Sequence, residues 1–126
     1  MYEDNTIKIN FSNGLFYFEY KDVKINESEA KKIIKQRLKL IRKHGDLNAI
    51  CVVNKKTKIL KKARIQFGMV RGYIGIKNIA IVMCKNSLVI KLLNLFSPKK
   101  RIDKKPLTKF FNNEEKAREW IASKMK

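Results

Sequence analysis

Histidine, tryptophan, proline and cysteine are all scarce in this 126-residue chain, at one, one, two and two residues respectively. A lone histidine cannot build a multi-histidine metal site. Two cysteines make neither a disulfide framework nor a zinc-ligand spacing. Cys51 and Cys84 each lie inside an apolar run and read as small buried hydrophobes. With few prolines and 44% hydrophobic residues the chain is no disordered sequence, although 33% of its residues are charged. Residues 79–96, the most apolar stretch, are interrupted by Lys85, Asn86, Lys91 and Asn94, so no membrane span is expected. The start, Met1-Tyr2-Glu3-Asp4, lacks the hydrophobic region of a signal peptide, which points to a reducing, cytoplasmic setting.

Acids are scarce too. Eleven Asp and Glu face 30 Lys and Arg, a formal net charge of +19. Such a field attracts nucleic acid, anionic lipid and acidic proteins. Six of the 30 are Arg, which leaves 24 Lys, and it is Arg that favours bidentate recognition of phosphates and bases. The lysines fit a solvated surface, and any nucleic-acid contact is expected to be nonspecific. The densest run, Lys99-Lys100-Arg101-Ile102-Asp103-Lys104-Lys105, has no aromatic for base stacking and reads as a solvated loop.

What is present is a regular alternation of elements. Ile7, Ile9 and Phe11 alternate with polar residues as in a half-buried strand. Asn13-Gly14 then supplies the positive φ angles of a two-residue hairpin turn, and 15–20 form the return strand. Asn26 and Glu29 make a capping box before a helix whose Ala30, Ile33, Ile34, Leu38 and Ile41 share one face. Gly45 ends that helix. Residues 49–53 and 79–84 are continuous apolar runs, the pattern of central strands covered on both faces. A second helix is expected over 59–70, with Leu60, Ala63, Phe67 and Val70 on one face. A third is capped by Asn86 and carries Leu88, Val89, Leu92, Leu93 and Phe96 as a core stripe. A last strand over 107–111 leads into a helix over 113–124, where Glu114 and Glu115 match the helix dipole and Trp120 joins Ala117 and Ile121 in the core. The order β-β-α-β-α-β-α-β-α implies a single α/β domain over residues 1–126, a mixed sheet with an N-terminal hairpin and right-handed parallel crossovers.

No catalytic constellation accompanies this scaffold. His44 stands at a helix end, where a cation suits the dipole, and no carboxylate is spaced to work with it. Mid-strand thiols in apolar surroundings are poor nucleophiles. Neither a glycine-rich phosphate loop nor a metal-ligand spacing occurs. The sequence is therefore not expected to encode an enzyme or to need a cofactor.

The strand from Gly14 through Phe18, the helix from Glu29, the strand over 49–53, the Ala63-Arg64 pair and the closing segment from Phe110 to Ile121 together resemble the STAS fold, and more closely a set of small bacterial SpoIIAA-like proteins of uncharacterised function. The resemblance covers residues 13–124 and implies a regulatory or protein-interaction module. Phosphorylated STAS antagonists carry an acid at the end of the central strand and then an Asp-Ser pair. Here Asn54 ends the strand, Lys55-Lys56-Thr57-Lys58 follows, and the chain contains no Asp-Ser pair. The resemblance thus extends to the scaffold and not to the phospho-switch. The family's docking surface maps to Asn54, Lys55, Lys56, Thr57, Lys58, Lys61 and Lys62, at the carboxyl edge of a parallel strand where open α/β sheets bind their ligands. Its basic character favours an acidic protein partner. A lysine-dependent nucleic-acid-binding protein is the alternative, a carrier of a small apolar ligand a third, and homodimerisation stays open.

Overall fold

A computed structural model of the chain describes residues 2–69, 73–97 and 105–125. The elements are β1 Tyr2–Glu3, β2 Ile7–Ser12, β3 Leu15–Tyr20, β4 Lys24–Ile25, α1 Glu27–His44, β5 Leu47–Val53, β6 Lys58–Ile59, α2 Lys61–Gly68, β7 Ile76–Met83, α3 Ser87–Leu95, β8 Leu107–Phe111 and α4 Glu114–Lys124. Six strands form one sheet in the order β1-β2-β3-β5-β7-β8, and β4 pairs with β6 apart from it. β1, β2 and β3 are antiparallel, whereas β3, β5, β7 and β8 run parallel.

Local chemistry accounts for much of this. Asn13 and Gly14 hold φ of 52° and 78°, the primed turn that sets Phe11 opposite Phe16 and Ile9 opposite Phe18. Glu29 N–H donates to Asn26 Oδ1 at 2.9 Å, and Asn26 N–H donates to Glu29 Oε1 at 3.2 Å, closing the capping box of α1. Asn86 and Asn113 cap α3 and α4 through Val89 N–H and Lys116 N–H. Side chains along β5 alternate between two covered faces. Ala49 and Cys51 join Phe16, Phe18 and Tyr20 beneath Ala30 and Ile33 of α1 and Ala63 of α2. Ile50 joins Ala80, Val82 and Phe111 beneath Ala117 and Ile121 of α4.

Asp4 fixes the entry to β2. Its carboxylate accepts from Thr6 N–H at 2.8 Å, Thr6 Oγ1 at 2.7 Å, Ile7 N–H at 3.0 Å and the Tyr2 hydroxyl at 2.9 Å. Burial raises the Asp4 pKa, but these hydrogen bonds outweigh it and hold the group below its ordinary value. A depressed folded-state pKa stabilises the fold above the unfolded value, near 3.9, and that contribution is lost as pH falls through the folded value. Asp4→Ala is expected to cost about 1–3 kcal/mol at neutral pH. Asp4→Asn should lose less stability than the wild type between about pH 5 and pH 2 in parallel denaturant titrations. Identical acid limbs would show that the cluster contributes nothing.

Four sequence expectations shift. The second helix begins at Lys61 rather than Ile59, because Lys58 and Ile59 pair with β4: Lys58 N–H donates to the Val23 carbonyl and Leu60 N–H to that of Ile25. Its expected end at Val70 lies outside the described residues. β7 stops at Met83, which leaves Cys84 exposed instead of buried. Trp120 is half-buried, its ring 6.0 Å from that of Phe111 at the border of the core. The α3 stripe is the largest change. Ile90 is buried, but Leu88, Leu92, Leu95 and Phe96 are 67%, 48%, 67% and 83% exposed. The reason lies on β8, whose outer backbone groups need partners. Asn94 accepts from Phe110 N–H at 2.7 Å and donates to the Phe110 carbonyl at 2.9 Å. Ile90 and Asn94, one turn apart, therefore face inward, Val89 and Leu93 of the expected stripe are half-buried, and Leu88, Leu92 and Phe96 are turned to solvent.

Candidate functional site

The expected docking segment is a rigid edge rather than an open cradle. Asn54 leaves β5 and folds its amide back: Nδ2 donates to the Tyr20 carbonyl at 2.7 Å and to Glu19 Oε2 at 2.9 Å. The Thr57 hydroxyl donates to the Lys21 carbonyl at 2.7 Å and accepts from Asn54 N–H at 3.2 Å. Lys56 N–H donates to Asp22 Oδ1 at 2.9 Å. Asn54 and Thr57 are thus brought together as a clasp that fastens the loop to the end of β3. Lys55, Lys56, Lys58, Lys61 and Lys62 remain exposed around it. Neither ion pair found among the described residues, Lys21–Glu3 or Arg118–Glu114, involves them.

Two depressions lie along α1 and α2, and the smaller includes Lys61 and Lys62 of this edge in its lining. A groove of about 740 Å³ runs between α1 and α2, lined by Ser28, Lys31, Lys32, Ile34, Lys35, Gln66 and Met69. A smaller one beside it, lined by Asn26, Glu27, Ser28, Leu60, Lys61 and Lys62, shares Ser28 and carries the groove toward the clasp. Ile65 on α2 and Met69 just past its end are 53% and 52% exposed.

A third cavity, of 360 Å³, opens on the sheet face beside α1 and α2. Phe18, Tyr20, Cys51, Ile79 and Ile81 of the sheet line it, with Arg37 of α1 and Arg64 and Phe67 of α2. Arg37 is 5% exposed, and its Nε and Nη2 have no hydrogen-bond partner among the described residues. Burial holds this guanidinium below its ordinary pKa, with Tyr20 and Cys51 opposing. Burial likewise drives the Tyr20 hydroxyl and the Cys51 thiol upward, so neither supplies an anion at neutral pH. Sequence reasoning missed this residue by counting only apolar side chains. The signal was present in the spacing: Arg37 follows Ala30, Ile33 and Ile34 at the next turn of the buried face.

The other reactive groups have ordinary surroundings. The His44 ring stacks on Phe11 at 4.2 Å between centroids, at the last residue of α1. No group of three His, Cys, Asp or Glu that could hold a metal occurs among the described residues. Among them, too, no helix is long and apolar enough to cross a membrane. The thiols differ sharply in access. Iodoacetamide at neutral pH is expected to modify Cys84 in the native protein and Cys51 only after denaturation, as read by peptide mass mapping. Rapid native labelling of Cys51 would place it outside the core.

The geometry can be set beside known proteins. A family model described as a domain of unknown function, DUF7793, matches residues 9–124. The chain belongs to that family. Among curated proteins none is significantly similar in sequence. The DUF7793 domain is similar in structure to an uncharacterised protein of the DUF3478 family, with a SpoIIAA-like fold, from Shewanella loihica PV-4. The TM-score is 0.61 at 13% identity, covering 96% of this chain and 98% of the other. The fold of this DUF7793 domain is therefore SpoIIAA-like, as its order of elements led us to expect. At that identity the likeness speaks for the fold, and the chemistry of the site must be argued from these residues.

Proposed function

We propose that this DUF7793 domain is a non-catalytic, cytoplasmic interaction module that docks an acidic, partly apolar protein segment between α1 and α2. One observation carries the reading: Lys31, Lys32 and Lys35 rim the groove, Ile34 and Met69 line it, and among the described residues the carboxylate beside it, Glu27, lies in the neighbouring depression and accepts from Gln66 Nε2 at 3.5 Å. A cationic rim attracts acids, while an apolar floor gives hydrophobic residues somewhere to bury, the pattern met by an amphipathic helix in a groove. Lys61 and Lys62 extend the cations along the neighbouring depression, and Lys55, Lys56 and Lys58 continue them past the clasp of Asn54 and Thr57. A rigid edge supports this use, because little conformational freedom is lost on docking. Self-association through the same groove is opposed by the +19 carried by each copy.

The test uses a synthetic helical peptide of alternating Glu and Leu faces, titrated into the full chain. The triple variant Lys31→Glu, Lys32→Glu, Lys35→Glu should weaken binding by about tenfold or more, through loss of attraction and added repulsion. The triple variant Lys109→Glu, Lys116→Glu, Lys124→Glu, which changes charge equally on β8 and α4, should leave it nearly unchanged. Equal losses in the two triples would reduce the effect to net charge and overturn the groove. A DNA duplex that binds more tightly than the peptide at matched salt would replace the reading with a lysine–phosphate one, whose affinity falls steeply with salt.

A further inference from the structure

Arginine keeps its proton under all ordinary conditions, so Arg37 is a cation inside the protein. Buried cations normally have a carboxylate or a full set of hydrogen bonds, and an exception demands an explanation. Among the described residues no carboxylate pairs with Arg37, and the groups that bear on its charge are Tyr20 and Cys51. The two open donors, Nε and Nη2, are neighbours on one edge of the guanidinium. Their N–H bonds run parallel, the fork that matches the two oxygens of a carboxylate. Around this fork the wall is apolar, with Phe18, Ile79, Ile81 and Phe67 among its residues. At 360 Å³ the space falls within the range of small-molecule sites, about 300–1,000 Å³.

We propose that the cavity between the sheet and α1/α2 binds an amphiphilic carboxylate, its head group on Arg37 Nε and Nη2 and its apolar body along Phe18, Ile79 and Ile81. A hydrocarbon chain or ring system buries its surface against these walls, which accounts for the apolar body. The missing counter-charge accounts for the anion. A nucleotide or sugar phosphate does not fit, because its many polar groups would meet aliphatic and aromatic side chains and lose water without replacement. Arg64, exposed at the margin of the cavity, gives an entering anion a second cation on its way in. This site is separate from the lysine groove, and either can fail without the other.

Isothermal titration of the full chain with dodecanoate, dodecanol and dodecyltrimethylammonium tests the assignment. Dodecanoate should bind with a stoichiometry of one and more tightly than the alcohol by about tenfold or more, since the alcohol leaves the fork open. The quaternary ammonium should not bind. The preference for carboxylate should persist at ~1 M salt, where the Debye length of about 3 Å screens surface lysines but not a buried pair. Arg37→Met, which puts an apolar chain in place of the cation, should abolish the preference while retaining dodecanol binding. If that variant does not fold, the three ligands on the wild-type chain decide the question alone. Equal affinity for dodecanoate and dodecanol, a preference that disappears in high salt, or one that survives in Arg37→Met would each overturn the site.

Discussion

Gly75→Ala is expected to lower the stability of the domain by about 2–5 kcal/mol, the sum of a backbone and a packing effect. Gly75 holds φ at +87°, a conformation that side chains rarely adopt, and an added Cβ would also lie 2.5 Å from Ile41 Cγ2 and 2.8 Å from Ile41 Cδ1. Ile41 cannot yield cheaply, because a β-branched residue in a helix has one strongly preferred χ1. The site matters to the sheet as well: the Gly75 carbonyl accepts from Leu47 N–H at 2.7 Å, where β5 enters beside β7. Denaturant titration gives the magnitude. Adding Ile41→Ala should restore part of the loss, so that the double variant is more stable than the two singles predict. A loss below about 0.5 kcal/mol with no coupling would mean that α1 does not pack against this turn.

Phe16→Ala should cost about 3–5 kcal/mol, the range for deleting a buried aromatic ring. Phe16 is 1% exposed, and its ring lies 5.5 Å from that of Phe18. In register it stands between Phe11 of the antiparallel hairpin and Ala49 of the parallel half, so its loss opens a void where the two parts of the sheet join. Against a typical net stability of about 5–15 kcal/mol the variant should remain folded but with a much lower denaturation midpoint. An unchanged slope with a shifted midpoint identifies a stability effect alone. Trp120→Ala, at a half-buried position, should lose less, and the reverse ranking would move the core toward α4.

The lysine edge illustrates how far a sequence argument about a site reaches. Asn54 and Thr57 were identifiable from their place after a central strand, but the contacts that their side chains make within the chain were not. Both turn inward to carbonyls of residues 20 and 21, more than 30 positions earlier in the chain. The five lysines do point outward, as charged side chains must unless paired. The groove that they approach could not be read in advance, because it is made by α1 and α2 crossing, and the side chains that border it are interleaved from both.

Features governed by near neighbours were determined by the sequence itself. The Asn13-Gly14 turn, the Asn26–Glu29 box, the Asn86 and Asn113 caps and the Gly45 stop each depend on residues within a few positions, and each is found where that local chemistry places it; the two central strands are found too, with bounds of Leu47–Val53 and Ile76–Met83. The burial of a side chain is different, since it depends on what another part of the chain brings to it. Only the tertiary structure decided that Asn94 would satisfy Phe110 and so turn Leu88, Leu92 and Phe96 to solvent. It also decided that Cys84 would lie past the end of its strand and that Arg37, on an otherwise apolar face, would keep Nε and Nη2 without a partner among the described residues. A hydrophobic period tells which residues of a helix share a side, but the side that faces inward is set by the needs of the strand it covers.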